Sequence, residues 1–226
     1  MSNYTAKNNI DELTNKIKKI RNQIVKQLDS HPDFIRVIII GNSGVGKSTI
    51  ANAIIGRMLL IRKNKNQKTL FTMNSPFPIG DTMMPKTTFP NIYADYSTEL
   101  LVCDTAGFED ARGAEQDILN SFAIEQLFKE ACKIKILFAF TEDDTLVQAG
   151  KGKNVDNILK ILNHMIPNKE ELKKCLGIII TNGNEKHNPK TCLENLLSQN
   201  PSCYIQEYIR YFLDNLNERV FHFLMH

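Results

Sequence analysis

Phe34-Ile35-Arg36-Val37-Ile38-Ile39-Ile40 runs without a break into Gly41-Asn42-Ser43-Gly44-Val45-Gly46-Lys47-Ser48-Thr49. A helical pattern follows through Ile50, Ala53, Ile54 and Leu59. The first seven residues are almost all apolar and mostly β-branched, which predicts a strand buried on both faces. Glycines then let the backbone turn tightly without Cβ clashes. Strand, glycine-rich loop and helix, with Lys47 and Ser48 at the fixed positions after Gly46, match the phosphate-loop pattern G-x-x-x-x-G-K-S.

That pattern carries a specific chemistry. The amides of Ser43, Gly44, Val45, Gly46, Lys47 and Ser48 are expected to converge on anionic oxygens, helped by the N-terminal end of the following helix. Gly41, Asn42 and Thr49 complete the cradle. Lys47 is expected between the β and γ phosphates of a nucleotide, with the Ser48 hydroxyl on Mg²⁺.

Outward from the loop, strands alternate with helices, predicting an α/β fold with a mostly parallel sheet covered by helices on both faces. Short strands are expected at 91–96 and 99–103, the second ending at Asp104, and further strands at 134–140, 176–180 and 219–224. Helices are expected at 114–131, 155–166, 191–198 and 203–216. Residues 60–90 read as irregular, and the basic run Arg62, Lys63, Lys65 and Lys68 as a solvated loop, with contact to acidic lipid headgroups or a partner as the alternative. Thr141-Glu142-Asp143-Asp144 reads as a helix-initiating loop. Before the first strand, Ile10, Leu13, Ile17, Ile20, Ile24 and Leu28 form the stripe of an amphipathic helix over about residues 10–29. The expected organisation is an N-terminal helical extension at 1–33 and one nucleotide-binding domain at 34–226.

Composition narrows the function classes. Of 226 residues, 42% are hydrophobic and 23% charged, as in globular proteins. A net charge of +3 is too near balance to favour nucleic acid as the main partner. The five cysteines are widely spaced with no CxxC, which argues against a disulfide framework or a zinc knuckle and for a reducing compartment. Met1 to Asn9 is polar, so no secretory signal is expected. No apolar run approaches the roughly 18 residues that cross a bilayer. The histidines do not cluster with cysteines as metal ligands.

Leu100-Leu101-Val102-Cys103-Asp104-Thr105-Ala106-Gly107 places an acid at the end of a hydrophobic strand. Such an acid holds a water of the Mg²⁺ shell, and the Gly107 amide, three residues on, reaches the γ-phosphate. A loop that gains this bond with the triphosphate and loses it after hydrolysis is a switch. A threonine before that strand should ligate the metal and orient the attacking water. Thr88 is the first candidate, with Thr87 and Thr82 as alternatives.

The phosphate loop together with Asp104-Thr105-Ala106-Gly107-Phe108-Glu109-Asp110 resembles the GTPases of the translation-factor-related class. Its nearest branch by motif is the septin-like and AIG1 (GIMAP, Toc) group. The likeness covers about residues 35–226 and is strongest in these two motifs. It implies a GTP/GDP-binding switch with Mg²⁺ that forms nucleotide-dependent homodimers or oligomers. It further implies an effector, and a cytoplasmic setting with peripheral membrane contact.

Two positions depart from that pattern. Phe108 stands where Ras-like members place a glutamine, and a phenyl ring neither donates nor accepts a hydrogen bond to water. Slow intrinsic hydrolysis is expected, accelerated by a second subunit or an activator, with Arg112 as a candidate finger acting in trans. The base-reading segment after the fifth strand is Thr181-Asn182-Gly183-Asn184, where the family carries [Asn/Thr]-Lys-x-Asp. Thr181 matches, but Asn182 replaces the lysine and Asn184 the aspartate. GTP is the expected ligand. ATP or low base discrimination is the alternative, as is a nucleotide-holding scaffold with little turnover.

Overall fold

The apolar run before the glycines forms β1, Ile35–Ile40, in which every residue after Ile35 is buried. In the computed structural model the chain is described at residues 2–57, 59–64, 67–72, 74–79, 87, 89–108, 113–129, 133–145, 152–181, 188–199 and 202–223. A long helix, α1 (Ser2–Asp29), precedes β1. The loop is followed by α2 (Lys47–Ile54), then β2 (Leu60–Asn64), β3 (Gln67–Phe71), β4 (Asn91–Asp95), β5 (Leu100–Asp104) and α3 (Ala114–Phe128). Next come β6 (Ile134–Thr141), a 3-10 turn at Glu142–Thr145, α4 (Gly152–Met165), α5 (Lys169–Cys175) and β7 (Leu176–Thr181). The described chain ends with α6 (Pro189–Ser198), α7 (Cys203–Asp214), α8 (Leu216–Arg219) and β8 (Val220–Phe223).

The main sheet has six strands in the order β4-β5-β1-β6-β7-β8. Pairing is antiparallel between β4 and β5 and parallel from β6 to β7 and from β7 to β8. This is the α/β, mostly parallel architecture that the alternation predicts. By contact density the chain divides into two units, 1–38 with 48–134, and 39–47 with 135–226.

In the first unit, Ile20, Ile24 and Leu28 of α1 recur every four residues, and all are buried. The helix packs on α3, and Lys16 Nζ bridges Glu12 and Glu115 at 2.8 and 2.9 Å. The apolar stripe expected from residue 10 is covered only in its later part, since Ile10 remains 65% exposed. Arg36 of β1 is buried, and its Nη1 donates to the carbonyls of Leu127 (3.3 Å) and Lys129 (2.8 Å). The last carbonyls of a helix lack intrahelical donors and carry its negative end, so a guanidinium there satisfies both needs. In the second unit all six residues of β7 are buried. Leu159, Leu193, Ile205, Tyr208 and Phe212 of the helices are buried with them.

Several sequence expectations need correction. Residues 60–64 and 67–71 are not irregular. β2 and β3 pair antiparallel as a two-stranded sheet of their own, with Leu60 opposite Phe71 and Lys63 opposite Lys68. The lysines that signal a solvated loop share these strands with an apolar end, and charge hides the alternation. The helix after the loop stops at Ile54 rather than reaching Leu59, because Gly56 adopts a left-handed φ of 68° that ends it. α5 was not expected, since Leu172 is its one buried apolar residue. Its start is nonetheless written locally: the Asn168 side chain accepts from the amides of Glu170 and Glu171. The stretch 141–144 does open a turn, held by the Asp144 carboxylate, which accepts from the Thr141 amide and hydroxyl at 2.8 and 2.7 Å.

Replacing Arg36 by Met should keep the volume and remove both hydrogen bonds to the end of α3. Urea denaturation is expected to show a loss of about 1.5–3 kcal/mol, with the slope against urea unchanged.

Candidate functional site

The loop between β1 and α2 takes the shape its glycines permit. Gly44 and Gly46 have φ of 82° and 87°, values that residues with a Cβ rarely adopt. Gly41 has φ 152°, and a Cβ there would lie 2.2 Å from the Ala139 carbonyl oxygen of β6. Glycine at 41 is thus demanded twice, by conformation and by the close approach of a neighbouring strand.

Lys47, the first residue of α2, is only 7% exposed. Its ammonium donates to the carbonyls of Gly41 (3.1 Å) and Asn42 (2.7 Å), so the side chain folds back over the loop. Thr181, at the end of β7, is fully buried, and its hydroxyl donates to the Val45 carbonyl at 2.8 Å. The loop 41–47 and the end of β7 are therefore joined by a side-chain bond within the second unit.

Within the first unit, Ser48 Oγ donates to Asp104 Oδ2 at 2.7 Å. Asp104 is fully buried at the end of β5, opposite Asn91 of β4 in the antiparallel register. The neighbouring Cys103 is also fully buried, and burial pushes its thiol up to about 12, so it stays neutral beside the carboxylate. A serine hydroxyl and a carboxylate oxygen side by side are hard oxygen donors of the kind Mg²⁺ takes. No group of three His, Cys, Asp or Glu forms a metal cage among the described residues. Mg²⁺ suits a site with so few protein ligands, because it completes its shell with water and phosphate oxygens.

After Asp104 the chain runs through buried Thr105, Ala106 and Gly107. The Gly107 carbonyl accepts from Asn120 Nδ2 of α3 at 3.3 Å, and Asn120 Oδ1 accepts from Gln116 Nε2 at 2.7 Å. Behind Ser48, the Asn52 side chain is fully buried and donates to the carbonyls of Ser48 (2.8 Å) and Phe77 (2.7 Å). Neither asparagine stands out by motif. The available signal is that Asn120 falls on the same helical stripe as Ala123, Ile124 and Leu127, where an amide needs partners.

The structure thus brings together Gly41, Asn42 and Lys47, Val45 and Thr181, and Ser48 and Asp104. Thr49 is buried at the start of α2, Phe108 is half-buried, and Thr87 is half-buried ahead of β4. Thr82, Thr88, Arg112, Asn182 and Asn184 lie outside the described residues. No helix among the described residues is long and apolar enough to cross a membrane.

A family model described as "50S ribosome-binding GTPase" matches residues 36–182. Among curated proteins, GTPase Era of Ureaplasma urealyticum serovar 10 is 27% identical over 132 residues, covering 56% of this chain and 38% of that protein. GTPase IMAP family member 8 of Mus musculus is 26% identical over 190 residues, covering 75% of this chain and 25% of its own length. The chain therefore spans less than half the length of these relatives. Among solved structures, a dimerization-deficient mutant of Toc33 from Arabidopsis thaliana superposes with a TM-score of 0.49. It shares 14% identity and covers 94% of this chain and 78% of that one.

Gly41→Ala adds a clash with backbone and a strained φ, together worth about 3 kcal/mol. Its thermal midpoint is expected to fall by about 6–12 °C, read by circular dichroism.

Proposed function

The chain belongs to the 50S ribosome-binding GTPase family, whose model spans residues 36–182, and from that premise we propose that it is a guanine-nucleotide switch. On this reading it binds Mg²⁺–GTP through residues 41–49 and hydrolyses it slowly to GDP. The observation that carries the reading is the Ser48–Asp104 contact at 2.7 Å, which sets the serine that follows the phosphate-loop lysine against the acid at the end of β5.

Lys47 neutralises the β and γ phosphates, exchanging its carbonyl partners in the loop for phosphate oxygens. Ser48 and Asp104 are the residues that would hold Mg²⁺. The chemistry Mg²⁺ would supply there is positive charge to offset that of the phosphates. Gly107 would offer its amide to the γ-phosphate, and Thr88 would help hold the metal and orient the attacking water. Since Phe108 gives that water no hydrogen bond, turnover by a single subunit is slow. A second copy of the chain, meeting the first across the nucleotide, accelerates it. Residues 1–33 act as a helical extension of a domain at 34–226. The buried free thiols Cys103 and Cys192 support a reducing, cytoplasmic setting.

Thr181, Asn182 and Asn184 are the residues assigned to reading the base. A carboxylate accepts from both guanine N1–H and N2–H₂, whereas the Asn184 carboxamide offers one acceptor and one donor. That substitution costs roughly one to two decades of guanine affinity through one unpaired donor. It is also what favours the second reading, a nucleotide-binding domain with low base discrimination.

Competition of GTP, ATP and XTP against a fluorescent nucleotide tests the reading. GTP is expected to bind tightest and Lys47→Ala to lose more than a hundredfold in affinity. Equal binding of ATP and GTP selects the second reading, and a Lys47→Ala protein with unchanged affinity sinks both. Hydrolysis per subunit is expected to rise with protein concentration. A rate that stays flat across a hundredfold range removes self-activation.

A further inference from the structure

We infer that Asn120 of α3 is a positioning residue for Gly107, and that its bond to the Gly107 carbonyl sets how much more tightly the protein holds a nucleoside triphosphate than a diphosphate. The inference rests on the reading of Gly107 as the γ-phosphate contact. Asn120 is 3% exposed, so its amide must find partners inside the protein. Its Nδ2 lies 3.3 Å from the Gly107 oxygen and its Oδ1 2.7 Å from Gln116 Nε2.

Chemistry fixes the direction of both bonds. A backbone carbonyl only accepts, so the Asn120 atom facing Gly107 must be the amino group. The Asn120 oxygen then faces Gln116, which must present its own amino group. Gln116 lies one helical turn before Asn120 and holds the asparagine amide in that orientation. One bond is local to α3, and the other leaves the helix to grip the loop after Asp104.

Glycine has the widest backbone freedom of any residue. If Gly107 is loose, ordering it on the γ-phosphate costs affinity, and a tether made beforehand removes part of that cost. GDP does not reach Gly107, so its affinity should not depend on the tether. Asn120 therefore acts on the difference between the two nucleotides and not on binding as a whole.

The test uses the full chain with Mg²⁺ and fluorescently labelled GDP or a non-hydrolysable GTP analogue. Wild type is compared with Asn120→Asp, which keeps the shape but presents no donor, and with Asn120→Leu, which fills the space without a buried charge. Thermal unfolding identifies the variants that fold. In each folded variant the GTP analogue is expected to weaken by about five- to tenfold, with GDP affinity changed less than twofold. Equal weakening of both nucleotides, or an unchanged ratio alongside a lowered thermal midpoint, gives Asn120 a structural role only and overturns the inference. A wild-type protein that binds neither nucleotide instead fails the switch reading on which the inference rests.

Discussion

An ammonium group almost wholly removed from water must be surrounded by oxygen, and that requirement organises the loop after β1. Lys47 is 7% exposed, and its charge is met by the carbonyls of Gly41 and Asn42. Left unpaired at that depth it would be costly. The glycines follow from the same need. Gly41 lets the chain pass within contact of Ala139, while Gly44 and Gly46 turn it back toward the start of α2. On the proposed reading, exchanging the two carbonyls for phosphate oxygens would replace neutral acceptors with charged ones, which form the stronger hydrogen bonds.

Each of the two units anchors its own candidate residues by different means. Residues 41–47 are tied at the middle by the Thr181 hydroxyl on the Val45 carbonyl. Ser48 is tied from in front by Asp104 and from behind by Asn52, whose amide holds the Ser48 carbonyl. A threonine at 181 keeps the hydrogen bond to the loop whatever the residues beyond it do with a base. On the proposed reading, base preference is therefore separable from phosphate binding, because the Thr181 bond supports the loop by itself.

Much of this was legible in the sequence, and the parts that were not share a cause. β1, β5, β6 and β7 announce themselves as apolar runs, and the loop carries fixed residue types because its backbone geometry admits few others. The β2–β3 hairpin escaped because Arg62, Lys63 and Lys68 break the period-2 signal, and α5 escaped because seven residues are too few to show a 3.6 period. Asn52 and Asn120 are the more instructive omissions. Their partners are the backbone carbonyls of Phe77 and Gly107, 25 and 13 residues away. A carbonyl has no residue identity to read, so no motif records the pairing. A polar residue within an apolar stripe is the trace it leaves.

The lengths of these bonds divide the site into firm and yielding parts. Ser48 to Asp104 and Thr181 to Val45, at 2.7 and 2.8 Å, have the spacing of well-made hydrogen bonds. Asn120 to Gly107, at 3.3 Å, lies beyond the usual range for an amide donor and is correspondingly weaker. A switch needs that inequality. A segment that answers to one phosphate must be held by less free energy than the phosphate contact supplies, or its position would not depend on the nucleotide. It must also be held by more than nothing, or ordering it would consume the contact. On the proposed reading, the long hydrogen bond from the buried Asn120 amide suits such a segment, while the bonds of Lys47 and of Ser48 to Asp104 are shorter.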